Sequence, residues 1–240
     1  MDDMTPTSAL TAPTVWAPPS GVRIRGTLAL VAGGGESPRV YERFGRRIST
    51  DGYTVAAFET GSAASALQWL TGHADTPRVL AGSDIGAAAV LALAADGAAV
   101  DGVIVAGLPV AAADDTHADA SLRTACPVHL GVLESEGAQA TTPVQTIDVP
   151  DAGTLGRISV PVLAIHGGAD PIVPFELAQD TLRSIDVIEV VETVDGLHDA
   201  LNDLSHRSVA ATIVLWLERL RGAGVRTPVV RTSSLNGDIS

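Results

Sequence analysis

The sequence predicts an α/β fold: a mostly parallel, doubly wound sheet with helices on both faces and a short cap insertion. Three observations carry that expectation. Short apolar runs alternate with helix-like stretches, the runs are continuously apolar, and one run passes through a glycine-flanked turn straight into a helix. A strand covered on both faces has no solvent side and is apolar throughout, whereas a half-exposed strand alternates in polarity.

In chain order, Thr27–Ala32 (TLALVA) opens the series. Pro38–Thr50 follows with a helical pattern. Tyr53–Phe58 (YTVAAF) has the aromatic and β-branched content of a strand, and Ala64–Leu70 that of a helix. After Arg78–Ala81 (RVLA) comes the helix Ile85–Ala95. Its apolar run, Gly86 to Ala95, is stopped by Asp96 and falls short of the ~20 residues that cross a bilayer. Gly102–Ala106 (GVIVA), Val160–His166 (VPVLAIH) and Ile185–Val191 (IDVIEVV) complete the strands; Pro174–Ile185 and His206–Arg221 complete the helices. Ligands of such sheets bind beyond the carboxyl ends of the strands, so functional residues are expected just after them.

The domain is expected to span residues 21–221, between a proline-rich arm (1–20) and a polar tail (222–240). Residues 108–157 break the rhythm with a connection far longer than a simple crossover, which reads as a cap. It holds an acidic segment, Asp114 to Asp119, and a possible extra strand, Pro127–Leu133. A solvated loop with an edge strand and a substrate-contacting lid are both open readings.

Of the 240 residues, 28 are acidic and 15 basic, all of the latter arginine, for a net charge of −13. That balance disfavours nucleic acid and anionic membrane as partners and leaves a small-molecule substrate, neutral or weakly polar. Arginine without lysine, amid abundant Ala and Gly, suggests a GC-rich bacterial genome. One cysteine, Cys126, and a start lacking a signal-peptide pattern point to the cytoplasm. The chain is expected to be a monomer or a homodimer, with an edge strand or the last helix as the pairing element.

The chemistry-bearing motif is Gly82-Ser83-Asp84-Ile85-Gly86 between a strand and a helix. A nucleophile presented on such a sharp turn needs small residues two before and two after it. Asp84 meets that requirement. Centring the turn on Ser83 would put Ala81 and the bulky Ile85 at the flanks.

Two further motifs follow in order, and together the three resemble the α/β-hydrolase superfamily over about residues 27–220. Leu30-Val31-Ala32-Gly33-Gly34-Gly35-Glu36 and the tyrosine-containing helix Val40-Tyr41-Glu42-Arg43-Phe44 resemble the oxyanion loop of its monoglyceride-lipase-like branch. Val162 to Pro174, with Gly167-Gly168-Ala169-Asp170, is similar to the loop bearing the acidic triad member. Gly196-Leu197-His198-Asp199 is similar to the catalytic-histidine loop, and Val209–Leu220 to the closing helix. The resemblance implies Asp84 as nucleophile, Asp170 as orienting acid, His198 as base, and the Gly34 and Ile85 N–H groups as oxyanion hole.

The chain departs from that pattern in informative ways. Lipases and esterases place serine at the elbow, whereas epoxide hydrolases and haloalkane dehalogenases place aspartate there and form an alkyl-ester intermediate. Yet residues 108–157 hold no Tyr or Trp to protonate an epoxide or bind halide, Ala32 replaces the usual His, and the segment after Phe58 is cut to Glu59-Thr60-Gly61. Hydrolysis of a small, largely apolar metabolite through an aspartyl ester is the leading expectation. Elimination, isomerisation or cyclisation in secondary metabolism, with Asp84 and His198 as acid and base, is the alternative, and a catalytically silent binding protein the third.

Glu59 is a rival to Asp170 as second carboxylate. His166 is expected to pack at its strand end, and Glu134 and Glu136 to be solvated. His117, His129 and Cys126 match no compact metal-ligand spacing. Gly33-Gly34-Gly35 fails the dinucleotide fingerprint, and a chain without lysine has no P-loop, so no cofactor is expected. The negative charge also disfavours a polyanionic substrate unless local arginines, such as Arg39 or Arg123, gather at the pocket.

Overall fold

The computed structural model describes residues 12–110, 119–136, 148–222 and 224–231. Its centre is a seven-stranded sheet in the order β1-β3-β2-β4-β5-β6-β7. The strands are β1 (Thr14–Trp16), β2 (Gly26–Val31), β3 (Tyr53–Phe58), β4 (Arg78–Ser83), β5 (Gly102–Ala106), β6 (Val162–Gly167) and β7 (Ile188–Thr193). Only β1 runs antiparallel, pairing Thr14 with Ala57 and Trp16 with Val55; the other ladders are parallel. The helices are α1 (Glu42–Thr50), α2 (Ala63–Thr71), α3 (Ile85–Ala95), α4 (Ala120–Arg123), α5 (Pro127–Ser135), α6 (Ala152–Leu155), α7 (Phe175–Leu182) and α8 (His206–Arg221).

The runs of β2 to β6 are buried on both faces, as expected, whereas β7, at the sheet edge, is only half-buried. Leu28 and Leu30 of β2 pack with Phe44 and Ile48 of α1 and Ile213 and Trp216 of α8. Ala29 and Val31 of the same strand point oppositely, into the core formed with Leu70 of α2 and Val90 and Leu91 of α3. Side chains alternate across a strand, so one apolar run feeds two cores.

Two expectations are corrected. Pro127–Leu133 is not a strand but the body of α5: proline is pre-organised for the first helical turn, His129 and Leu133 are buried four residues apart, and Val128 is exposed. The arm is not loose throughout, because β1 lies within residues 1–20 and lays Trp16 over Gly45 of α1, where a Cβ would meet the ring at 2.1 Å. Asp114 to Ala118 and His117 lie outside the described residues. No described helix is long and apolar enough to cross a membrane.

The chain adds β3 on one side of β2 and β4 on the other, which makes the β2/β4 boundary the switch point of the sheet. Crossovers diverge there and leave a crevice at the strands' carboxyl ends. Gly33 and Gly34 follow β2, and Asp84 follows β4.

Candidate active site

Asp84 adopts φ 51°, ψ −127°, between the last residue of β4 and the first of α3. A non-glycine residue there is strained, and the surroundings must hold it. Its N–H donates to the Ala106 carbonyl (2.9 Å), and its carbonyl accepts from Ala87 N–H (2.8 Å). A Cβ on Gly82 would lie 2.2 Å from the Gly86 carbonyl oxygen, and one on Gly86 2.4 Å from that of Val31. Both flanking glycines are therefore required by backbone contact. The elbow conformation belongs to Asp84, while Ser83 stays in the ladder opposite Ala106.

The structure brings Asp84, His198 and Asp170 together. His198 Nδ1 bonds Asp170 Oδ2 at 2.8 Å, and Nε2 faces Asp84 Oδ1 at 3.6 Å. Gly34 N–H donates to the other oxygen, Asp84 Oδ2, at 2.9 Å. Ile85 occupies the first position of α3, whose N–H is not used within the helix. Glu59, the rival carboxylate, is exposed after β3.

Asp170 is fixed by its own loop. Its Oδ1 accepts from Ile172 N–H (2.8 Å) and Val173 N–H (3.1 Å). His166 does more than pack: its Nε2 lies 3.0 Å from Asp170 Oδ2 and 2.8 Å from the Val173 carbonyl. The histidine loop presses on its neighbours through glycines; a Cβ on Gly107 would meet the His198 carbonyl oxygen at 2.5 Å, and one on Gly167 that of Leu197 at 2.3 Å.

Burial opposes charge at all three positions, and the partners outweigh it. At His198 desolvation pushes the imidazole down, but Asp170 and Asp84 bring it up to about 10. At Asp84 desolvation raises the carboxyl, while His198, Arg123 and the Gly34 N–H bring it below its ordinary value. Asp170, also desolvated, is held far below the usual range by His166 and His198. The three directions together favour the charged imidazole between two ionised carboxylates.

Beside it lies a buried ionic cluster that the sequence did not reveal. Arg123 Nη2 bonds Glu36 Oε1, and its Nε and Nη2 reach Asp199 Oδ1 at 3.1 and 2.9 Å. His129 Nε2 meets Asp199 Oδ2 at 2.8 Å, and the Tyr41 hydroxyl bonds Glu36 Oε2. Of the two arginines named from the sequence, Arg123 is buried beside the site and Arg39 is exposed. Glu134 and Glu136 are exposed as well, the latter accepting from Ser37 Oγ (2.9 Å). Glu36 closes the otherwise apolar motif Leu30 to Glu36, which was the available signal for it, and Asp199 follows directly on His198.

This architecture is the α/β-hydrolase fold, with an aspartate at its strand-to-helix elbow. Among solved structures the chain is similar to a monoacylglycerol lipase from Paleococcus ferrophilus (18% identity over 86% of this chain and 98% of that one, TM-score 0.67). It is also similar to a soluble variant of Saccharomyces cerevisiae monoglyceride lipase in complex with a substrate analogue (15%, 87% and 91%, TM-score 0.71) and to an esterase domain from Rhodothermus marinus (22%, 88% and 93%, TM-score 0.59). At these identities the likeness establishes the fold. No protein-family model matches the sequence, and no curated protein matches it.

Proposed function

We propose that the protein is a hydrolase of small, largely apolar electrophiles that works through an ester on Asp84, without a cofactor. One observation carries this reading: the Gly34 N–H that a serine hydrolase would offer to a substrate oxygen is given to Asp84's own carboxylate. A carboxylate so held keeps Oδ1 as attacking atom and places Oδ2 where the ester carbonyl, and later its oxyanion, will sit.

Oδ1 displaces a leaving group from an sp³ carbon; the C–O bond forms as the bond to the leaving group breaks and takes its electron pair away. Esterification removes the charge of Asp84, one of the two carboxylates that raise the His198 pKa. The imidazolium then gives up its proton more readily, to the leaving group or to solvent, and becomes a base. Neutral His198, oriented by Asp170, takes a proton from water as its oxygen attacks the ester carbonyl carbon. Oδ2 carries the oxyanion towards the N–H groups of Gly34 and Ile85, and collapse expels the alcohol, which receives the proton from His198. The remaining water proton passes from the Asp84 carboxyl to His198, restoring carboxylate and imidazolium. The hydrolytic names of the structural neighbours agree with this reading at the level of reaction class.

A second reading rests on the direct facing of His198 Nε2 and Asp84 Oδ1 at 3.6 Å. That pair is suited to non-hydrolytic proton transfer in elimination, isomerisation or ring closure. Intact mass and peptide mapping of His198→Gln, incubated with epoxides, haloalkanes, lactones and activated esters, separate the two. The covalent reading expects an adduct retained on Asp84. An adduct on Ser83, or none while a ligand demonstrably binds, overturns it in favour of a serine nucleophile, acid–base chemistry or a silent binding protein.

A further inference from the structure

The contacts around Asp84 close into a ring. Asp84 Oδ2 accepts from Gly34 N–H, and Gly34 follows Gly33, whose N–H donates to Glu36 Oε2 at 3.1 Å. The other oxygen of Glu36 is held by Arg123, which also grips Asp199. Asp199 follows His198, whose Nε2 returns to Asp84 Oδ1. The grip is doubled through the backbone, because Asp199 N–H donates to the Arg123 carbonyl at 2.9 Å. Three segments distant in sequence, the loop after β2, the end of α4 and the histidine loop, thus meet on one guanidinium that is buried with both of its carboxylate partners.

We infer that Arg123 is a positioning residue: its planar fork sets the separation between the Gly34 donor and the His198 imidazole, the gap in which the Asp84 carboxylate sits. A guanidinium suits this because its donors leave in fixed directions and can hold two carboxylates at once. A lysine ammonium supplies the same charge without that geometry. The cost of burying the group is met only while both partners stay, so the three segments hold together or loosen together. Tyr41 stiffens the far limb, bonding Glu36 and lying 3.2 Å from Gly33 N. The inference rests on site geometry and is independent of whether Asp84 forms an ester.

The test is substrate-free. In histidine-labelled protein the His198 resonance, assigned by its loss in His198→Gln, is titrated by NMR, and exchange of the Gly34 amide is followed in the same samples. Among the described residues the groups facing His198 are Asp84, Asp170, His166 (ring centroids 6.3 Å apart) and, through charge, Asp199 with Arg123 behind it. Arg123→Lys keeps that charge, so a purely electrostatic role leaves the His198 midpoint near that of the parent. Loss of positioning moves His198 away from Asp84: the midpoint is expected to fall by about one unit or more, and Gly34 exchange to quicken by about tenfold or more. An unchanged or raised midpoint with unchanged Gly34 exchange in the folded variant overturns the inference. Should Arg123→Lys not fold, Tyr41→Phe removes one hydroxyl bond to Glu36 and no charge. Both readouts are then expected to move in the same directions by smaller amounts, and parental values overturn the inference equally.

Discussion

His198 sits between two carboxylates, and the sign of their effect fixes how stability follows pH. Its folded pKa, about 10, lies above the ordinary 6.5, so its contribution is complete below about pH 6.5 and is lost as pH rises towards 10. Asp84, Asp170 and Asp199 are shifted the other way, Asp199 to about 2, so theirs is complete above the ordinary 3.8 and is lost on acidification. Glu36, raised by burial against the pull of Arg123, works in the opposite sense to these carboxylates. Thermal melts are expected to show an alkaline decline above about pH 6.5 that flattens in His198→Gln; a decline of equal slope in that variant would assign it to other groups. Much of the site was legible at this scale. Asp84, Asp170 and His198 each lie in a local motif whose glycines are demanded by backbone contact, and local spacing is what a sequence displays. Glu36, Arg123, His129 and Asp199 come from segments up to 163 positions apart, no spacing relates them, and only the fold brings them together.

Elements were legible where periodicity was strong. α8 repeats its apolar residues at helical spacing, and α3 stands out as an unbroken apolar run of helical length stopped by Asp96, whereas Pro127–Leu133 is ambiguous because a short apolar run suits a strand or a helix equally. β1 escaped notice for a related reason: three residues, of which Trp16 alone is buried, make no pattern. Its attachment is nevertheless specific, since the Trp16 ring occupies the space over Gly45. In Gly45→Ala the new methyl cannot coexist with the ring, and β1 must shift away from α1. A cost of about 1–3 kcal/mol is expected, the range for overpacking a core. A lowered melting temperature and red-shifted tryptophan emission would report it, with the elbow at Asp84 left in place because β1 lies at the sheet edge, separated from β4 by β3 and β2. An unchanged melting temperature would show that the edge strand contributes nothing to stability.

Across the whole molecule a net charge of −13 repels itself, while the charges that define the site are buried and paired. Salt separates the two. The screening length shrinks from ~30 Å at 0.01 M to ~8 Å at 0.15 M ionic strength, which relieves repulsion between exposed carboxylates and leaves contacts near 3 Å in a dry interior largely untouched. The melting temperature at pH 7 is therefore expected to rise over that range, while the His198 midpoint stays in place. The same comparison bears on the substrate. A neutral electrophile approaches an acidic surface without penalty, so its rate of adduct formation on Asp84 in His198→Gln should be insensitive to salt, whereas an anionic one should react faster as screening increases. If uncharged epoxides or haloalkanes show no reaction while anionic esters react and accelerate with salt, the pocket selects charge through cations other than the internally paired Arg123, and the apolar-substrate reading falls.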